Sequence, residues 1–166
     1  MERVVSYLEM TDEAQLRPAA PVPDLSLRRL ESDAPLVREV HARVGDPYGW
    51  QESTRTAAQW ETHFRDHPLR QYWIVVHGAE PAGVAYLEPQ QGGDVEVTAF
   101  GLLPEYVGKG LGGYALTLSL RQAWATRPVG AEAVRRVWLH TDTRDHPHAL
   151  ANYEKRGLRA YRREAK

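Results

Sequence analysis

The residues with the plainest chemical meaning lie in one stretch, Phe100-Gly-Leu-Leu-Pro-Glu-Tyr-Val-Gly-Lys-Gly-Leu-Gly-Gly113. It follows a strand-like run and opens a helix-like one. Glycines let consecutive N–H groups point into one concavity, and a helix start adds partial positive charge. Together they make an anion cradle suited to a phosphate or pyrophosphate. Gly108, Gly110 and Gly113 also spell G-x-G-x-x-G, the dinucleotide fingerprint, but the context is wrong. Pro104 to Val107 separate the strand from the first glycine, where that fingerprint needs a tight turn. Only 53 residues follow Gly113, too few for a doubly wound sheet. A P-loop fails because no Lys-Ser or Lys-Thr pair follows the glycines. Taken alone, the segment also reads as a glycine-rich turn with no ligand.

The segment resembles the coenzyme A pyrophosphate loop of the GNAT acyltransferases. That signature is Gln/Arg-x-x-Gly-x-Gly/Ala between a strand and a helix. Its first position is Val107 here, which can supply a backbone N–H but no cationic side chain. A second match lies downstream, in His146-Pro-His-Ala149-Leu-Ala-Asn-Tyr153-Glu-Lys-Arg-Gly157-Leu158. The family reads roughly Asn-x-x-Ala-x-x-x-Tyr-Glu-Lys-x-Gly-Phe there. Ala149, Tyr153, Glu154, Lys155 and Gly157 fit; His146 replaces the Asn and Leu158 the Phe. The resemblance covers about residues 25–166 and leaves 1–24 as an N-terminal extension.

The resemblance implies transfer of an acyl group, acetyl by expectation, from acetyl-CoA to an amine by direct attack in a ternary complex. Glu96 is then the candidate general base, directly or through water, and Tyr153 the candidate acid for the departing thiolate. Backbone N–H groups at Gly101-Leu102-Leu103 would meet the acyl oxygen. Leu102, Leu103, Val107, Gly108, Lys109, Gly110, Leu111, Gly112, Gly113, His146 and Asn152 are the expected cofactor contacts. Tyr48, Trp50 and Glu52 would wall the acceptor site, where aromatic rings beside a carboxylate suit a cationic amine. The acceptor is a small molecule or a peptide amine. Two other readings stay open: a silent acyl-CoA sensor, and a transferase of the same fold using another donor such as aminoacyl-tRNA.

The elements that must position these residues follow from periodicity. Val4–Leu8 and Leu25–Leu30 read as strands, separated by a proline-rich connector that cannot complete ladders or helices. Ser32-Asp33 reads as a cap for a helix over about 34–44, and a second helix covers about 56–66. Strands follow at about 72–76, 84–88 and 95–103. A helix at about 112–125 carries Leu116, Leu120, Ala123 and Trp124 on one stripe. A strand at 134–141, a helix opened by Pro147 and closed at Gly157, and a strand at 158–163 complete the chain. The expected fold is α/β (α+β): one mixed, mostly antiparallel sheet flanked by about four helices, with an N-terminal strand able to extend an edge or pair with a second copy as a homodimer.

Composition narrows the function classes. The 166 residues match about one domain. With no cysteine there is no disulfide framework, no thiolate metal site and no covalent cysteine intermediate. Asp145-His146-Pro147-His148 lacks the convergent ligands of a metal centre, so none is expected. No run is long and apolar enough for a membrane helix, and the first ten residues lack a signal core, so a cytoplasmic protein is expected. The net charge of −1 argues against a nucleic-acid coat. It conceals a split: residues 1–100 hold 9 Lys/Arg and 16 Asp/Glu, residues 101–166 hold 12 and 6. The basic half suits a polyphosphate, and the acidic half is expected to wall an amine acceptor.

Overall fold

The computed structural model describes residues 3–32, 34–50 and 55–166. The chain runs β1 (Val4–Met10), β2 (Leu25–Leu30), α1 (Pro35–Gly45), α2 (Ala57–Asp66), β3 (Gln71–His77), β4 (Glu80–Gln90) and β5 (Asp94–Leu102), then α3 (Gly112–Trp124), β6 (Arg136–Asp142), α4 (Ala149–Lys155) and β7 (Arg159–Ala165). This is the order expected from periodicity. Local chemistry sets the ends. Thr56 caps α2 in a reciprocal box with Gln59, its hydroxyl accepting from the Gln59 N–H at 3.2 Å. Gly157 closes α4 at φ +105, in the left-handed region that favours glycine. At α1 the N-cap is Ala34, with no side-chain bond and Pro35 in the first turn. The expected Ser32-Asp33 cap falls on Asp33, which lies outside the described residues.

The strands form one seven-stranded sheet in the order β2-β3-β4-β5-β6-β1-β7. Within it β5 and β6 pair in parallel, and the other neighbours pair antiparallel. The sheet is mixed and mostly antiparallel, with four helices on its faces. The N-terminal strand corrects its sequence reading. β1 is neither an edge nor free for a partner; it lies between β6 and β7 and is antiparallel to both. Its Leu8 and Met10 are fully buried. The edges are β2 and β7.

Alternation divides the core between the two faces. Tyr72, Ile74, Val84 and Tyr86 pack with Val37, Val40 and Val44 of α1. Val95, Val97, Val137 and Leu139 pack on the opposite face with Leu116, Leu120 and Ala123 of α3 and Tyr153 of α4. The feature that makes a site is a split in the sheet. β5 and β6 stay in register only from Asp94 to Glu96, opposite Arg136 to Trp138. Beyond Glu96 they part, and β5 runs on along β4 alone.

Candidate active site

A cleft of about 560 Å³ opens where β5 and β6 part. The glycine loop forms one wall. Gly108 and Gly110 both sit at φ +77, and a Cβ at either would meet nothing within 4 Å. Their backbone is therefore bare to the cleft, in a conformation other residues resist. The N–H groups of Gly108, Lys109, Gly110, Leu111 and Gly112 have no hydrogen-bond partner among the described residues. They run into the start of α3, whose dipole adds to them. This donor array fits the pyrophosphate of coenzyme A.

Several expected contacts sit differently. The Val107 N–H closes a turn on the Pro104 carbonyl at 3.3 Å and is not free for the expected contact, although Val107 does line the cleft. The Lys109 side chain is exposed and off the wall. Gly113 makes room for Ala19 and Arg156 instead: its Cβ would lie 3.2 Å from the Ala19 methyl. Leu103 is buried against α1, and its N–H bonds the Ala82 carbonyl at 2.7 Å. By strand alternation the Leu102 N–H then points away from β4, into the split. Leu102 does line the cleft.

The facing wall comes from α4 and the turn before it. Tyr153 is buried, with its ring 6.3 Å from that of Phe100. Burial, then the nearby Asp145 carboxylate, push its phenol well above the ordinary value, so the proton stays on. Asn152 donates to the Gly112 carbonyl at 3.2 Å and ties α4 to the start of α3. His146 accepts the His148 N–H at Nδ1, 3.1 Å away, and its ring lies 6.1 Å from that of Tyr48. Tyr48, His146 and Asn152 all line the cleft.

A second cavity, of about 300 Å³, adjoins the first. Trp50, Phe100, Asp145 and Tyr153 line both, so the two meet at these residues. Trp50 is the partition. Gly45 and Gly101 make room for it; a Cβ on Gly45 would come within 2.6 Å of its ring. Its indole N–H donates to Asp145 Oδ1 at 3.1 Å. Asp145 Oδ2 accepts the Thr141 hydroxyl and, at 3.0 Å, the Asp142 N–H. Glu52 lies outside the described residues.

Glu96 lines neither cavity. It accepts from Gln90 Nε2 at 3.0 Å and comes 3.9 Å from the ring of His140, which does line the second cavity. Burial raises its carboxyl, with His140, Arg70 and the Gln90 bond partly offsetting this. As alternation predicts, it faces away from the core that holds Val95 and Val97.

The second cavity also corrects the expected charge. Arg3, Arg70, Arg144, His41, His63 and His140 face it, against Asp142 and Asp145. Residues 1–100 contribute Arg3, His41, His63 and Arg70 to this wall, and residues 101–166 contribute His140, Arg144 and both carboxylates. Sequence reasoning singled out none of Arg70, His41 and His63. They come from three elements, and no local motif marks them. Asp145 was visible only as the head of its Asp-His-Pro-His run.

Comparison with known proteins follows the geometry. No curated protein matches the chain at significance. Solved structures share its fold at low identity. A GCN5-related N-acetyltransferase from Sphaerobacter thermophilus has a TM-score of 0.64 at 14% identity over 99% of this chain and 50% of its own. One from Kribbella flavida has 0.65 at 17%, over 95% and 54%. A putative GNAT acetyltransferase from Novosphingobium aromaticivorans has 0.58 at 20%, over 99% and 62%. The chain spans half to three fifths of the length of these structures. The model of the acetyltransferase (GNAT) family matches residues 34–158, from the start of α1 through Leu158, and so takes in the glycine loop and Tyr153. With most of its length inside that match, the chain belongs to the GNAT acetyltransferase family.

Proposed function

We propose that this chain transfers an acyl group, acetyl in the simplest case, from a coenzyme A thioester to an amine. The meeting of the two cavities at Trp50, Phe100, Asp145 and Tyr153 carries the reading. One cavity has a phosphate cradle at its mouth; the other has polar walls and room for a small acceptor. The thioester supplies an activated carbonyl when bound. The amine nitrogen bonds to the acyl carbon, the carbon–sulfur bond breaks, and an ammonium acceptor sheds two protons overall. One ends on sulfur and the other reaches solvent.

The loop N–H groups from Gly108 to Gly112 hold the pyrophosphate, and the Leu102 N–H meets the carbonyl oxygen. Donors preorganised in this way are worth about 2.7–4 kcal/mol each. Tyr153 gives its phenolic proton toward sulfur. Glu96 receives the amine proton by way of water and His140, whose ring lines the second cavity. Substrate and product are polar and the CoA thioester is the donor, so we place the activity in the cytoplasm. Among the described residues no helix is long and apolar enough to cross a membrane.

Calorimetry with acetyl-CoA tests the reading, followed by thiol release in a screen of amines. Micromolar binding with acceptor-dependent thiol release supports it. Absence of binding at millimolar acetyl-CoA would sink it, and binding without any turnover would point to the sensor reading.

A further inference from the structure

Both signs of charge line the second cavity, and Asp142, beside Asp145, is already paired with Arg3 and Arg144. A carboxylate, Asp145, stands at the end shared with the donor cleft, close enough to Tyr153 to act on its phenol. Opposite Asp145 stands a wall from α1, α2 and the loop before β3 that carries no carboxylate among the described residues. Among the described residues it presents His41, His63 and Arg70 to the cavity. Arg70 is held in place by three contacts: Nε on Glu88 at 2.7 Å, Nη1 on His63 Nε2 at 3.0 Å and Nη2 on His67 Nδ1 at 3.5 Å. A guanidinium has five N–H groups, so two have no partner among the described residues.

His41 is 4% exposed, and neither of its ring nitrogens has a hydrogen-bond partner among the described residues. Its ring is fixed between Trp50 and Trp60, at 5.3 and 5.4 Å. Thr98 lines the same cavity, and its buried hydroxyl also lacks a partner. Buried polar groups are costly until something completes them. Burial first, then Arg55 and Arg70, keep His41 and His63 in their neutral forms. Trp50 connects the two ends: its ring packs on His41, and its N–H reaches Asp145 at 3.1 Å.

Building on the acyl-transfer reading, we infer that the acceptor is a free amino acid, with its amino group drawn to Asp145 at the transfer end and its carboxylate received by Arg70, His63 and His41. A volume of about 300 Å³ holds one such molecule. A protein N-terminus carries no α-carboxylate and would leave Arg70 and the two imidazoles unmatched.

The test is thiol release from acetyl-CoA by the full chain, with matched acceptors: a free amino acid and the amine lacking only its carboxylate. The acid is expected to be favoured by about tenfold or more in kcat/KM, the worth of one charged hydrogen-bond pair, through KM. Arg70→Gln is expected to cut that preference by about tenfold. Equal or better turnover of the bare amine, or of a peptide N-terminus, overturns the inference. The comparison in the unaltered protein stands even if Arg70→Gln does not fold. Where no pair turns over, calorimetry of amino acids with coenzyme A present decides. Amino-acid binding weakened by Arg70→Gln supports the inference, and absence of binding overturns it. Failure of acetyl-CoA itself to bind overturns the acyl-transfer reading beneath, and the inference with it.

Discussion

Trp50 and Asp145 are 95 residues apart in the chain and joined by one hydrogen bond of 3.1 Å. The bond pins the loop after α1 to the turn before α4, across the line where the two cavities meet. Trp50→Phe keeps a ring in the space left by Gly45 and Gly101 and removes the donor. The expected cost is about 1 kcal/mol in chemical denaturation, with a several-fold fall in kcat/KM. Full activity would mean that Thr141 and the Asp142 N–H orient Asp145 without help.

Tyr153→Phe deletes one hydroxyl and keeps the ring against Phe100. Turnover should fall by about a hundredfold or more, the usual worth of a positioned acid. Coenzyme A affinity, measured by calorimetry, should be essentially unchanged. A large loss of affinity instead would make Tyr153 a binding residue.

Gly110→Asp places a carboxylate where the loop offers N–H donors. Coenzyme A binding should be abolished. Gly78→Asp is the control: Gly78 also has positive φ, +61, with open space around it, but lies at the β3–β4 turn away from the cleft. It should bear similar backbone strain, about 1–2 kcal/mol, and bind normally. Equal binding by the two variants would show that the cradle has been misplaced.

Acid should destabilise the fold earlier than its carboxylates require. His41 falls from 6.5 to about 3 on folding, through burial first and then Arg55. The unfolded chain therefore binds the extra proton between these values, and stability is full above pH 6.5 and lost as pH falls below it. His63, half exposed, shifts in the same sense and adds less. Glu96, raised by burial, works in the opposite sense over its own range. The melting temperature should decline from pH 6.5 to 5, and His41→Gln should flatten that slope. A flat profile in the unaltered protein would contradict the buried neutral imidazole.

Sequence made the element order and the anion cradle legible, because both rest on local signals. Periodicities of 2.0 and 3.6, the glycines at 108 and 110, and the α4 motif ending at Gly157 all act within a few residues. What stayed hidden depends on distant partners. β1 carries no mark that sends it between β6 and β7. Gly113 and Gly110 look alike in sequence, and only Ala19 and Arg156 make the first a packing residue. Glu96 has the expected alternation, yet how far β5 and β6 stay zipped decides that it stops behind His140. The wall of His41, His63 and Arg70 is assembled from α1, α2 and the loop before β3, so it cannot be read from charge totals over half the chain.

The interior position of β1 sets the order in which the molecule can be finished. β1 cannot complete its ladders until β6 and β7, made well after it, exist. Val4 pairs with Ala165 across nearly the whole chain, the costliest kind of loop to close. Such non-local pairing slows folding. A nascent chain halted after α3 would hold the glycine loop and still lack the α4 wall that faces it.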